Sequence, residues 1–140
     1  MSEDKKDALR TSINAIETGY EFMLAYAAQG RDFEYTGGGG GPSIRVYLGD
    51  LKSGLESIAD DFEKEIKDKV ENGADLFLEY ANILREDARK SLQAVNMVLS
   101  LPSIGSQVID NLNATIHIRA LLTDVFLLDE ALTSLSRKEQ

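Results

Sequence analysis

Hydrophobic side chains recur at three- and four-residue steps along most of this chain, and glycine and proline break the rhythm at only a few places. That spacing puts apolar positions on one face of a helix. In a first segment, about Asp4 to Gln29, the face carries Leu9, Ile13, Ile16, Tyr20, Met23, Leu24 and Ala27, and Gly30 ends it. A second segment, about Ser43 to Glu71, follows Pro42, which suits a first helical position because its missing N–H would be unpaired there. Its stripe is Ile44, Leu48, Leu51, Leu55, Ile58, Phe62 and Ile66, at near-heptad spacing. Gly49 and Gly54 interrupt this helix, and each is expected to weaken it by about 1 kcal/mol relative to alanine. Asp60–Lys64, Glu63–Lys67 and Glu65–Lys69 place the acid four residues before the base, the favourable order on a solvated face.

Asn72-Gly73 marks a tight reversal. The third segment, about Asp75 to Leu99, carries Phe77, Tyr80, Ala81, Leu84, Ala88, Ser91, Val95 and Val98 on its core face. Ser100-Leu101-Pro102-Ser103 ends it, and a fourth segment begins between Ser103 and Ser106 and runs to about Leu135. No stretch sustains the period-two alternation of a strand. The expected fold is all-α: an antiparallel four-helix bundle, up-down-up-down, forming a single domain over residues 1–140. A flexible glycine-rich loop, residues 31–42, joins the first two helices.

The fourth segment carries more apolar surface than one core seam needs. Ile118, Leu121, Leu122, Val125, Leu128, Leu132 and Leu135 form a broad face, and Ile116, Ala120, Leu127 and Ala131 form a second row beside it. A helix apolar around most of its circumference is buried on more than one side. The first segment shows a milder version, with Phe22 and Tyr26 one turn apart beside Ala8, Ala15 and Gly19. One reading is a wide internal contact. The other is a homodimer interface built from the first and fourth segments, with Phe22, Tyr26, Ile116, Ala120, Leu127 and Ala131 as self-association residues.

Charge narrows the partners. Twenty-four acidic against fifteen basic residues give a formal net charge of −9 over 140 residues. Nucleic-acid binding needs clustered Lys and Arg, so the balance argues against it, and against anionic membranes. There is no cysteine, which removes disulfides, thiolate metal sites and cysteine nucleophiles. The opening Met1-Ser2-Glu3-Asp4-Lys5-Lys6 lacks the apolar stretch of a signal peptide, and no apolar run approaches the roughly 20 residues of a membrane span. A cytoplasmic protein is expected.

The loop reads Arg31-Asp32-Phe33-Glu34-Tyr35-Thr36 and then five glycines. It can be a plain linker. It can also recognise a partner through Phe33 and Tyr35, or cradle an anion with the N–H groups of Gly39, Gly40 and Gly41 and the charge of Arg45. The anion signal is weak, because the run lacks a Gly-Lys-Ser/Thr ending and no strand precedes it.

Catalytic chemistry is sparse. His117 is the only histidine and falls in the apolar arc of the fourth segment, where a hydrogen-bonded core or interface role is expected. Asp124 lies two turns further, about 10 Å along the axis, too far for a direct pair. A di-metal carboxylate bundle needs Glu-x-x-His on two helices; one histidine cannot supply two, and Ala114 stands where the glutamate would be. No catalytic residue, metal ligand or cofactor is therefore expected. The function expected is that of a small acidic accessory or regulatory protein that binds another protein and forms a homodimer. The alternatives are a small-molecule or anion-binding bundle that uses the glycine loop, and a metal-dependent bundle enzyme.

Overall fold

Apolar stripes of helical pitch leave water by facing one another, and the computed structural model shows them doing so. The structure describes residues 2–34 and 43–138, and the side chains of 8–34 and 43–135. Among the described residues there are five helices and no strand: α1 (Ser2–Ala28), α2 (Ile44–Lys69), α3 (Ala74–Leu99), α4 (Ser106–Ala114) and α5 (Ile116–Lys138). No helix is long and apolar enough to cross a membrane.

The contacts fix the directions. Ser12 of α1 meets Ser57 and Asp61 of α2, while Gly19 lies against Tyr47 and Leu51, so the two helices are antiparallel. Arg85 of α3 bonds Asp60 and Glu63 of α2, while Arg45 near the start of α2 reaches the Leu99 carbonyl at the end of α3. Phe62, Ile58, Leu84, Val95, Ile109 and Leu121 are buried in the shared core. Each such burial contributes about 1.5–3 kcal/mol. Gly30 and Gly73 take φ of 66° and 78°, a left-handed backbone that glycine adopts without steric cost, at the end of α1 and the start of α3. Ser43 caps α2 by accepting the Val46 N–H.

Two features differ from the expectation. The fourth segment is broken at Thr115, whose backbone is extended (φ −63°, ψ 138°). Its N–H donates to the Leu112 carbonyl and its hydroxyl accepts the Ile118 N–H at 3.2 Å, so one residue closes α4 and caps α5. Tyr26 and Leu24 also exchange roles. Tyr26, expected on an outer flank, is buried, and Leu24, expected in the core, is exposed. The two lie about 80° to either side of the α1 seam at 100° per residue. The side facing residues 104–106 is the one covered, because there the Tyr26 hydroxyl donates to the Ile104 carbonyl.

Candidate functional site: the α3–α5 face

Nine large apolar side chains stand exposed among the described residues, and six of them, Leu76, Ile83, Met97, Ile116, Phe126 and Leu127, lie on α3 and α5. Between these helices runs an apolar groove of about 210 Å³ lined by Leu76, Phe77, Tyr80, Leu127, Leu128 and Ala131. Leu76 is 71% exposed and Leu127 54%, so the two rims stand in water. The second apolar row of the fourth segment opens onto this side. Ile116 and Leu127 are exposed, and Ala120 and Ala131 are half-buried.

Beneath the groove lies a carboxyl cluster. The Tyr80 ring lines the groove, and its hydroxyl donates to Asp124 Oδ1 at 2.8 Å. Asp124 is 5% exposed, and its Oδ2 has no donor while the carboxyl groups are ionised. Asp87, about two turns beyond Tyr80 along α3, is its other neighbour. Burial pushes the Asp124 carboxyl up to about 7; the hydrogen bond with Asp87 and the negative charge of Asp87 act the same way, and the Tyr80 hydroxyl opposes them. Burial, then the bond to Asp124 and the charges of Asp124 and Asp87, raise the Tyr80 phenol to about 12.

The chain matches no family model, no curated protein and no solved structure. Its site is therefore read from geometry.

The sequence-predicted residues do not converge on one place. Phe22 stacks on Tyr47 of α2, with ring centroids 3.8 Å apart and planes 8° from parallel, so it packs within the molecule. Tyr26 is buried, with the Arg31 guanidinium 5.5 Å above its ring, and cannot meet a second copy. Phe33 is 60% exposed at the exit of α1. Tyr35, Gly39, Gly40 and Gly41 lie outside the described residues. Arg45 does not present free charge to an anion, because Glu34 engages its guanidinium directly. His117 is exposed on α5, and Ile118 turns inward in its place. No group of three or more His, Cys, Asp or Glu able to hold a metal occurs among the described residues.

Sequence reasoning missed Leu76 and Ile83 as surface residues and Asp124 as a buried one. Asp124 had a signal: it is an acid set among Leu121, Leu122, Val125 and Leu128, inside an apolar arc. The role of Asp87 had none, because its neighbour on α5 is fixed by the register of two helices.

Proposed function

We propose that this chain is a non-enzymatic interaction module, a small acidic cytoplasmic accessory protein that pairs with a second copy of itself across the α3–α5 face. In this reading α4 and α5 act as one broken rod, and the molecule works as a four-rod bundle. The observation that carries the proposal is that Leu76 and Leu127, both exposed, rim one apolar groove between α3 and α5. At 100° per residue, the exposed Ile83 falls on the Leu76 flank of α3 and the exposed Ile116 on the Leu127 flank of α5, so projecting side chains stand beside the hollow, as a two-fold interface requires. Its extent is adequate. The 23 residues of α5 span about 35 Å. Two adjacent helices are roughly 20 Å wide with their side chains. The resulting face of roughly 700 Å² is close to the ~800 Å² per partner of a standard interface.

Sedimentation equilibrium at high micromolar concentration tests the proposal. A dimer is expected, converted to monomer by Leu127→Glu or Leu76→Glu with the helical circular dichroism spectrum unchanged. Two copies of net charge −9 repel, so self-association should tighten as salt rises. A monomer at every salt concentration sinks the reading. Binding to a basic protein partner would weaken with salt instead, which separates that second reading from self-association.

A further inference from the structure

We propose that Asp87 and Asp124 form a proton-binding site beneath the apolar groove: one proton, held between the two carboxyls, keeps the α3–α5 seam closed.

The argument starts from hydrogen-bond capacity. An ionised carboxylate only accepts, so two of them can bond only when one carries a proton. Asp124 Oδ1 already has its donor in the Tyr80 hydroxyl at 2.8 Å. Asp124 Oδ2 is buried and has none while both carboxyls are charged. A proton placed between Asp124 and Asp87 gives Oδ2 a partner and removes one of two like charges from the seam. A buried acceptor without a donor is destabilising, so the protonated pair is the state the packing favours.

The charged groups on the surrounding helices do not replace the proton. On α3, Arg89 pairs with Glu86 at 2.7 Å, and Lys90 is exposed. On α1, Arg10 reaches Asp129 at 3.2 Å. On α4, Asp110 is exposed and carries the same sign as the pair. On α5 itself, Arg119 is exposed, and so is His117, two turns before Asp124. Burial, Asp87 and Tyr80 are what set the proton affinity of Asp124.

Tyr80 links the site to the surface. Its ring lines the groove with Leu76 and Leu127, and its hydroxyl is held by Asp124. Loss of the proton puts two negative charges on opposite sides of the seam at the position that holds Tyr80. The proton site stands whether or not the face pairs with a second copy. Only its effect on docking rests on the self-association reading.

The sign of the pH dependence follows. The carboxyl of Asp124 is raised to about 7 in the folded protein. In an unfolded chain an aspartate titrates near 3.9, on the order of its free value. Between about pH 4 and about pH 7 the folded state holds a proton that the unfolded state has lost, so this group's contribution to stability falls as pH rises through that window.

The experiment is a carbon-detected NMR titration of the aspartate carboxyls of the full chain, with thermal melts from pH 5 to pH 8. Imidazoles titrate near neutrality, so both are done in a His117→Gln background. An Asp124 midpoint near 7 is expected, with a melting temperature that declines from pH 5 to pH 8. Asp124→Asn should remove that part of the decline. Asp87→Asn gives Asp124 an N–H donor in place of a like charge and should lower its midpoint by a unit or more, a tenfold or greater loss of proton affinity. If Asp124→Asn does not fold, the Asp87→Asn titration decides. A midpoint near 4 in the folded parent, or one unmoved by Asp87→Asn, overturns the proposal.

Discussion

The Arg45 guanidinium grips the Glu34 carboxylate, with Nε 3.0 Å from both oxygens and Nη2 2.6 Å from Oε1. The same guanidinium donates to the carbonyls of Leu99 and Leu101, at 2.9 and 2.6 Å, and Glu34 Oε1 accepts the Ile104 N–H at 3.0 Å. One ion pair thus ties the chain leaving α1 to the start of α2 and to the link between α3 and α4. The first residues of the expected flexible loop, Arg31 to Glu34, are held against residues 103–106.

Arg45→Ala should be among the most damaging single changes near the surface. The Glu34 side chain is 7% exposed and would keep the Ile104 N–H as a donor but lose its counter-charge. Removing one partner of a buried pair costs about 3 kcal/mol or more. Urea denaturation should register that loss, and Arg45→Lys should recover only part of it, since an ammonium cannot reproduce the planar fork. A loss below about 1 kcal/mol for Arg45→Ala would show that the pair is solvated and contributes little.

Gly105→Ala should loosen the same junction from the other side. A Cβ at position 105 would stand 2.8 Å from the Asp32 carbonyl oxygen and 3.1 Å from that of Arg31. The backbone φ of Gly105, −89°, suits any residue, so the constraint is space and not conformation. The displaced segment would lose the bonds from Ser106 N–H to the Arg31 carbonyl and from Arg31 N–H to the Ser106 hydroxyl, both 2.8 Å. Trypsin cleavage after Arg31 should accelerate severalfold under native conditions. Unchanged proteolysis would mean that the segment shifts without releasing its contacts.

What was legible in the sequence follows from what periodicity encodes. Ile13, Ile16, Leu48, Ile58, Phe62, Leu84, Val95 and Leu121 were placed inside by spacing, and all are buried. Spacing fixes a face, not which flank of it a neighbour covers, and so Leu24 and Tyr26 exchanged places. The stripe of the third segment likewise counted Phe77 and Tyr80 as core, although they are half-buried at the rim of a groove that exists only once α5 is set beside them. The Glu34–Arg45 pair was illegible for another reason. It spans the glycine run, and each member read more simply as part of a linker or an anion cradle. The α4–α5 break was legible and overlooked: Asn111, Asn113 and Thr115 are weak helix formers, and Thr115 stands three residues before Ile118, as a cap should.

Thr115→Ala should therefore weaken the molecule although Ala114 and Ile116 on either side of it are exposed. The change deletes the hydroxyl that accepts the Ile118 N–H and leaves an alanine at a cap with extended backbone. The expected cost is about 1 kcal/mol, with Thr115→Asn or Thr115→Asp near neutral. Chemical denaturation of the three variants checks it. Equal losses in all three would point to packing of the threonine methyl group instead of the cap.

The last prediction separates two glycines that look alike in the sequence. Gly49 and Gly54 both lie inside α2, and each seemed to cost the helix about 1 kcal/mol. A Cβ at Gly49 would meet nothing within 4 Å, so Gly49→Ala should stabilise the protein by about 0.5–1 kcal/mol through helix propensity and reduced freedom of the unfolded chain. At Gly54 the same atom would stand 2.8 Å from Ile16 Cγ1 and 3.1 Å from the Ser12 carbonyl oxygen. Ile16 is buried and Ser12 is bonded to Ser57 and Asp61, at 2.8 and 2.6 Å, so neither is free to move aside. Gly54→Ala must then push α1 and α2 apart along their tightest stretch, and overpacking of this kind costs about 1–3 kcal/mol. The two variants should move the urea midpoint in opposite directions. If both raise it, the α1–α2 approach is not as close as these contacts make it, and Gly54 is only a weak point in a helix.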